Sequence, residues 1–401
     1  MSAPAQNAAP SLGLVVTILV LASSVSIMST DMYAPSLPDL ADEFNTTPTR
    51  VKLTISLNLL AFGLAQLIHG PLSDRFGRRP VLLWSLSGVV IGCLLCVLAQ
   101  SINQLIVARV LLGLVAAAEA VIGLAIIKDL YTEKQQVKAL ALLGMVIAIA
   151  PAVAPIIGGY LHVAFGWESN FYVIAGMAVF AAFVVYVYLP ESTEPDVNAL
   201  KLRRVLSNYG LLLRNEEFLS YTLLLGVTLG LIFVFVTAAP FVLITYLGVP
   251  VQHFGFHQAG IVVSFFFGSM LASHLADRWP AGRLLGAGLL FMLIGCLFLV
   301  LLILTDVLVL SAMSLVAAYS VMTFGMGPMF AVAPSRALRS IKTQTGSASA
   351  MLSGLEQSTA ALSGVAVSLL HDGTAKPMAL VTIALTGLAL LLVFWVRRQQ
   401  R

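Results

Sequence analysis

The sequence predicts an all-α polytopic membrane protein with twelve transmembrane helices. Hydrophobic residues make up 59% of the 401 residues and charged residues only 10%, a balance far from that of soluble domains. Apolar stretches of roughly 18 to 25 residues recur from end to end, and each can cross the bilayer core as a helix. These stretches do not alternate apolar and polar residues, so the sequence excludes a membrane β-barrel.

Charged or turn-rich breaks separate the twelve predicted spans. The spans cover residues 12–38, 51–70, 80–100, 102–127, 137–161, 167–189, 218–246, 256–276, 282–304, 307–334, 345–370 and 377–396. The longest polar stretch lies between the sixth and seventh spans. We therefore predict an N-terminal six-helix half over residues 1–189, a cytoplasmic linker over 190–217 and a C-terminal six-helix half over 218–401.

The distribution of basic residues predicts the orientation of these spans. With both termini in the cytoplasm, eighteen of the 22 Lys and Arg residues fall in cytoplasmic segments, whereas only Arg50, Lys52 and Lys376 fall on the opposite side. An excess of this kind is typical of cytoplasmic loops. The net charge of +4 therefore reflects topology, and we expect no nucleic-acid partner.

The two predicted halves carry similar loops. Residues 69–80, HGPLSDRFGRRP, follow the second span, and residues 274–283, HLADRWPAGR, follow the eighth. An internal duplication of this kind is a common basis for alternating access, in which two halves move around a site at mid-membrane.

Three motifs resemble those of a known transporter family. Residues 70–79, GPLSDRFGRR, resemble the loop signature of the major facilitator superfamily. Residues 31–38, DMYAPSLP, resemble the signature of its Bcr/CflA branch of drug:proton antiporters, and residues 151–159, PAVAPIIGG, resemble the proline-glycine motif of its antiporters. The resemblance implies the major facilitator fold, with two pseudo-symmetric six-helix halves.

The resemblance also assigns a gating role to the loop and a hinge role to the fifth span. The gating residues are Gly70, Asp74, Arg75, Gly77, Arg78 and Arg79, and the hinge residues are Pro151, Pro155, Gly158 and Gly159. In the family, the loop acid is thought to latch the halves by facing the positive end of a neighbouring helix. Prolines and glycines on one helix face allow kinks and close packing. The alternative for the loop is that its charges only set the orientation in the membrane. The alternative for the fifth span is a helix that is merely irregular.

Asp31 and Arg109 are candidates for proton coupling, because ionisable residues inside a membrane are costly and need a reason. Asp31 ends a polar stripe of Ser23, Ser26 and Thr30, and we predict that it carries the proton. Arg109 cannot release its proton, so its predicted role is to favour the ionised carboxylate. The alternatives are an acid at an interfacial helix end and an arginine that reaches the outer interface.

Glu119 and Glu356 are acids within the fourth and eleventh spans. We predict that both lie in a central cavity, where they bind a cationic substrate or one of them carries the proton. A structural buried hydrogen bond is the alternative. Further candidates for the cavity wall are Gln357, Phe233, Phe235, Tyr319 and Phe324, because aromatic side chains suit an amphipathic ligand.

The resemblance implies a secondary active efflux transporter that exports small amphipathic molecules, such as phenicol- or bicyclomycin-like drugs, in exchange for protons. A proton-coupled carrier of a natural metabolite is the main alternative, and a membrane sensor or enzyme is another. The sequence contains no HExxH, GxSxG or GxxxxGK[ST] motif, so we expect neither an enzyme nor direct use of ATP. We expect a monomer in the bacterial inner membrane, without a metal or cofactor, that binds its substrate and protons.

Overall fold

The computed structural model describes residues 11–197, 199–305, 309–339, 341 and 345–399. Its α-helices are α1 (Leu12–Asp31), α2 (Leu37–Glu43), α3 (Pro48–Phe76), α4 (Arg78–Val97), α5 (Ile102–Leu130), α6 (Glu133–Phe165), α7 (Glu168–Tyr188), α8 (Leu202–Leu213), α9 (Glu216–Pro240), α10 (Phe254–Leu275), α11 (Ala281–Ile303), α12 (Ala312–Arg339), α13 (Thr345–Leu369) and α14 (Lys376–Gln399). Shorter helical segments are Ala34–Ser36, Phe241–Tyr246 and Val251–His253.

Local sequence signals set several helix boundaries. Ser101 begins α5, where its side chain accepts a hydrogen bond from the main chain of the first turn. Thr132 and Gln135 form a reciprocal capping box at the start of α6, which satisfies main-chain N–H groups that the helix cannot pair itself. Gly77 and Gly166 end α3 and α6 with φ of 97° and 84°, a conformation that favours glycine.

Eleven helices of the described residues are long and apolar enough to cross a membrane. The remaining predicted span, the eleventh in chain order, is α13, which has 25 residues and is therefore about 37 Å long. It is more polar than the other spans because it carries Glu356, Gln357 and several serines, and it packs against both α3 and α9. These helices confirm the predicted all-α membrane fold.

The long helices form two groups of six. In the N-terminal group, α5 packs against α1, α3 and α4, and α7 packs against α1 and α4. In the C-terminal group, α12 packs against α9, α10 and α11, and α14 packs against α9 and α11. Two further contacts, α3 with α13 and α6 with α10, join the groups. Each pairs the second helix of one group with the fifth of the other, as a two-fold pseudo-symmetry requires.

The α3–α13 contact extends along both helices. Near one end, the hydroxyl groups of Ser56 and Ser368 lie 3.1 Å apart. In the middle, Gly63 allows α3 to approach the main chain of Ser358. Near the other end, Gly70 faces Ala350. We call the end of the bundle with the loop 70–79 and the linker the linker end, and the opposite end the far end.

The α6–α10 contact also lies toward the far end. Gln258 of α10 donates a hydrogen bond to the main-chain oxygen of Pro151, 3.2 Å away. Gly159 lies against the main chain of Val251, in the segment that leads into α10. The proline-glycine segment of α6 therefore packs directly on the other group of helices.

The linker contains a helix that the sequence analysis did not predict. In α8, the Tyr209 hydroxyl donates to the main-chain oxygen of Leu67 in α3 at 2.7 Å, and the Asn208 amide lies 3.5 Å from the Ser347 hydroxyl of α13. This helix therefore bridges both groups at the linker end. The predicted domain limits, 1–189, 190–217 and 218–401, stay a prediction.

Candidate functional site

Arg109 of α5 lies in a buried cluster within the N-terminal group. Its side chain is fully buried, and Nη1 donates a hydrogen bond to the main-chain oxygen of Ser29, 2.6 Å away. The guanidinium carbon lies 4.9 Å from the ring centre of Tyr33 and 5.8 Å from that of Phe171. Because aromatic faces stabilise a cation removed from water, Arg109 has an environment that holds it inside the bundle and away from the membrane surface.

Asp31 is the acid of this cluster. It ends α1, only 8% of its surface is exposed, and it interacts electrostatically with Arg109. The ion pairs among the described residues do not include these two side chains. Among the described residues, none forms a hydrogen bond with Nε or Nη2 of Arg109. A carboxylate beside a cation with free donors can therefore form a charge-assisted bond after a small movement.

The polar stripe of α1 holds helices together. The Ser26 hydroxyl donates to the main-chain oxygen of Ala116 in α5 at 3.1 Å, and the Thr30 hydroxyl donates to Oδ1 of Asn58 in α3 at 3.3 Å. Glu119 lies one turn beyond Ala116, is 1% exposed, and interacts with the main chain of Ser26 in α1. The structure thus places these hydroxyl contacts and the buried Glu119 side chain inside the N-terminal group, whereas we predicted a cavity position for Glu119.

A cavity of about 260 Å³ lies at the linker end between α3, α5 and α13. Its lining residues are Gln66, Gly70, Pro71, Asp74, Arg78, Ala120, Val121, Leu124, Ala125, Lys128, Asp129, Ser347, Ser349, Ala350 and Ser353. Gln66 is 2% exposed, and its Oε1 has no hydrogen-bond partner within the part of the chain that the structure describes. Apolar walls with a few polar groups are typical of small-molecule sites.

Glu356 is not among the lining residues of this cavity, but it shares a face of α13 with two of them. Ser349 and Ser353 line the cavity, and Glu356 follows them at helical spacing, one turn deeper in the bundle. Gln357 lies instead on the face of α13 that contacts Gly63 of α3. The two predicted acids thus differ in position, since Glu356 shares a face of α13 with two lining residues of the cavity, whereas Glu119 is buried within the N-terminal group.

The four candidate aromatic residues belong to the C-terminal group. Phe233 and Phe235 of α9 are buried, and the ring of Phe235 lies 5.0 Å from that of Tyr319. The Tyr319 hydroxyl lies 2.9 Å from the Thr382 hydroxyl in α14. Phe324 packs against the ring of α11 residue Phe291 at 5.0 Å. Phe235, Tyr319 and Phe324 thus pack against partners within their own group.

The charged loop binds the N-terminal group and the linker. Asp74 and Arg78 form an ion pair of 2.5 Å, and Nε of Arg78 lies 3.2 Å from Oδ2 of Asp129 at the end of α5. Glu191 of the linker accepts hydrogen bonds from the main-chain N–H groups of Arg78 and Arg79, at 2.8 and 3.2 Å. These groups open α4, so the Glu191 carboxylate caps the positive end of that helix.

The same loop faces the C-terminal group across the cavity. Gly70 and Asp74 share its wall with Ser347 of α13, while Arg75 stacks on the neighbouring ring of Phe76 at 5.9 Å. We predicted a latch between the halves at Asp74. Asp74 instead forms its ion pair with Arg78 of the same loop. The acid that caps a helix is Glu191, at the start of α4.

The proline-glycine segment touches the end of α1. Pro151 and Pro155 both lie inside α6. One turn after Pro155, Gly158 packs so closely on the main chain of Met32 that a methyl group there would overlap the Met32 carbonyl oxygen. Met32 directly follows Asp31, so the hinge segment lies beside the predicted proton carrier.

Sequence reasoning missed a side-chain pair at the far end. Lys52 is 2% exposed, and its Nζ lies 2.7 Å from Nδ1 of His371 in the loop after α13. Lys52 is one of only three basic residues that the charge count places opposite the cytoplasmic side. This unusual position was the one sequence signal that could have drawn attention to it. The sequence offers no signal that pairs it with a histidine 319 positions away.

Ionisable side chains enclosed by membrane-spanning helices in two pseudo-symmetric groups are typical of multi-pass membrane transporters. A family model described as "Major Facilitator Superfamily" matches residues 19–365. The chain belongs to this superfamily, and is therefore a membrane transporter of small molecules.

Several relatives are named for drug resistance. The bicyclomycin resistance protein homolog of Haemophilus influenzae is 31% identical, with 87% of each chain covered. The chloramphenicol resistance protein of Pseudomonas aeruginosa is 28% identical, with 94% of this chain and 90% of the relative covered. Multidrug resistance protein D of Escherichia coli is 28% identical, with 84% of each covered. These names confirm the resemblance to the Bcr/CflA branch.

A solved structure supports the fold. The crystal structure of a bacterial homolog to the human lysosomal transporter Spinster, in an inward-facing and unoccupied conformation, has a TM-score of 0.77 at 15% identity, with 97% of both chains covered. At this identity the likeness concerns the fold alone, and it confirms the major facilitator fold.

Proposed function

We propose that this protein exports small amphipathic molecules from the cytoplasm in exchange for protons, by alternating access of its two groups of helices. The observation that carries the proposal is the buried pair of Asp31 and Arg109, which interact without forming an ion pair. A carboxylate in such a position can take up a proton when the arginine withdraws and release it when the arginine approaches. The names of the relatives support drugs as the exported molecules.

The linker end faces the cytoplasm in this proposal, as the charge count indicates, and the far end faces the periplasm. Both termini are then cytoplasmic, and the protein acts as a monomer in the inner membrane. The cavity at the linker end, with apolar walls and the free Gln66 oxygen, is where a substrate enters. The tight α6–α10 contact closes the far end in the conformation that the structure describes.

The test is a transport screen in everted membrane vesicles that contain this protein and a pH-sensitive dye. Phenicols, bicyclomycin, purines and amino-acid derivatives are each added after the vesicles have been acidified. We expect drugs to release protons from the lumen, and vesicles without the protein to give no signal. Proton release by purines or amino-acid derivatives alone would identify a metabolite carrier. No response to any compound would contradict proton-coupled export.

Glu356 is expected to set the preference for substrate charge. Because Glu356 shares the face of α13 on which Ser349 and Ser353 line the cavity, Glu356→Gln should weaken binding of a cationic drug by about tenfold while leaving a neutral phenicol unchanged. Glu119→Gln is the matched control, since Glu119 is enclosed between helices of the N-terminal group. Binding is measured by fluorescence in detergent. Equal losses for both drugs, or the same change in both variants, would remove Glu356 from the substrate site.

A further inference from the structure

A lysine and a histidine close the far end of the α3–α13 contact. Lys52 is almost fully buried, although a buried cation is costly. Its Nζ lies 2.7 Å from Nδ1 of His371, and one turn deeper the hydroxyl groups of Ser56 and Ser368 lie 3.1 Å apart. The Lys52–His371 hydrogen bond therefore joins the two groups of helices at the end opposite the linker.

This hydrogen bond depends on the protonation of His371. An ammonium group only donates, so Nδ1 of His371 must be unprotonated to accept from Lys52. The ring of Phe241 lies 4.8 Å from Nζ of Lys52 and 5.9 Å from the His371 ring, which stabilises the single cation. A second proton on the pair would place two positive charges in contact.

Few other ionisable groups surround the pair. Asp372 is exposed and acts electrostatically on both side chains. The hydroxyl and main-chain N–H of Thr374 donate to its carboxylate at 2.7 and 2.9 Å, and these bonds lower the pKa of Asp372. Tyr246 lines the cavity of about 210 Å³ beside the pair, to which α14 contributes Pro377 and Met378 but no charge. Asp372 is therefore the acid that offsets part of the charge, from the surface.

The direction of the pH effect follows from these surroundings. Burial lowers the pKa of His371, and the Lys52 ammonium lowers it further, while Asp372 opposes the shift. At neutral pH the imidazole is therefore neutral and the hydrogen bond is intact. We call the arrangement with this hydrogen bond the closed state and the arrangement in which the pair has separated the open state. The pKa of His371 is lower in the closed state, so protons favour the open state. As the pH falls from the pKa of the open state toward that of the closed state, the closed state loses the stabilisation that the hydrogen bond provides.

We propose that Lys52 and His371 form a proton-sensitive latch that keeps the far end closed at neutral pH and releases it in acid. The proposal rests on the proposed function only for placing the far end on the acidic side of the membrane. Release of the latch exposes the neighbourhood of Asp31 to the side on which protons are abundant. The latch thereby makes opening toward the periplasm depend on the proton gradient.

The latch can be tested without transport by measuring the separation of the two groups. Spin labels are placed at Glu43→Cys and Leu304→Cys, both exposed at the far end, after the three native cysteines have been replaced. Asp31→Asn is included so that the proposed proton carrier contributes nothing to the pH effect. In nanodiscs without substrate, we expect the long-distance population to rise about threefold between about pH 7.5 and pH 5.5.

The His371 variants separate the latch from other pH effects. His371→Gln keeps an acceptor for Lys52 without titrating, so it should hold the short distance at both pH values, whereas His371→Arg should give the long distance at both. Lys52→Met should also lose the pH response, because a protonated His371 then meets no cation. His253→Gln, an exposed histidine of the far end, is the matched control and should keep the response.

A pH response in His371→Gln equal to that of its parent would overturn the latch, as would a parent with no response. Each variant is checked as a monodisperse species by size-exclusion chromatography. If His371→Arg is not monodisperse, the distances measured in His371→Gln and Lys52→Met still decide the outcome. Because substrate and Asp31 are both absent, a failure of the latch is distinct from a failure of the proposed export.

Discussion

Asp31→Asn is expected to abolish substrate-induced proton release and to uncouple transport from an imposed pH gradient. Asparagine preserves the size of the side chain but can neither bind nor release a proton. Competition between substrate and proton for one carboxylate is then impossible, and uphill flux should fall by at least about tenfold, which is roughly 1.4 kcal/mol of coupling. Proton release is measured in detergent with a pH-sensitive dye, and flux is measured in proteoliposomes.

Asp42→Asn is the matched control for this variant, because Asp42 is an exposed acid near the same end of the bundle. It should retain both proton release and uphill flux. If Asp31→Asn still drove uphill transport from a proton gradient, another acid would have to carry the proton, with Glu119 and Glu356 as the next candidates.

Arg109→Ala should change the same signal in a different way. The guanidinium stabilises the charged carboxylate by Coulomb attraction, so its removal should move the half-point of proton release to higher pH without erasing the release. A lysine is not an equivalent substitute, since the planar guanidinium stacks on Tyr33 and Phe171 while donating to the Ser29 carbonyl.

Hydropathy and motif spacing predicted the fold well, because the cost of exposing main-chain groups to lipid leaves long apolar segments few alternatives to helices. The exception in hydropathy is α13, whose serines and Glu356 lower its apolar character. Its length between two charged breaks and its place as the fifth span of the second half nevertheless identified it. The short helix α8 was missed, because twelve polar and apolar residues in a linker give no span-length signal.

The candidate site was less predictable. Helical spacing shows which residues share a face of a helix, but it does not show which helix or cavity that face contacts. Asp31 and Arg109 were found because each breaks an apolar span. Glu119 and Glu356 have the same signal, yet Glu119 is buried beside α1, whereas Glu356 shares a helix face with residues that line the cavity. The Lys52–His371 pair depends on contact between different groups of helices, which no local pattern specifies.

The two groups of helices are alike in architecture but differ in charge at equivalent places. Arg109 of α5 lies between an aromatic residue after α1 and one in α7. Tyr319 of α12 likewise contacts Phe235 in α9 and Thr382 in α14. The C-terminal cluster of Tyr319, Phe235 and Thr382 contains no charged side chain, so it offers no counterpart to the Asp31–Arg109 pair. This asymmetry supports the choice of Asp31 and Arg109 for coupling.

Gly158→Ala is expected to reduce transport by at least about tenfold with insertion into the membrane preserved. A methyl group at position 158 would overlap the carbonyl oxygen of Met32, and overpacking of this kind typically costs about 1–3 kcal/mol. Main-chain atoms cannot move aside as a flexible side chain can, so α1 and α6 must separate at the far end. The closed far end that alternating access requires would then be destabilised beside Asp31.

Gly144→Ala is the matched control, because Gly144 lies on the same helix and none of the described side chains lies within 4 Å of an added methyl group. Alanine favours helix over glycine by roughly 1 kcal/mol, so α6 itself should be at least as stable in both variants. Flux is measured in proteoliposomes, and folding is monitored by thermal unfolding in detergent. We expect Gly144→Ala to transport at the parental rate while Gly158→Ala does not. Equal flux in the two variants would show that the closeness of α1 and α6 at Met32 is not needed for transport.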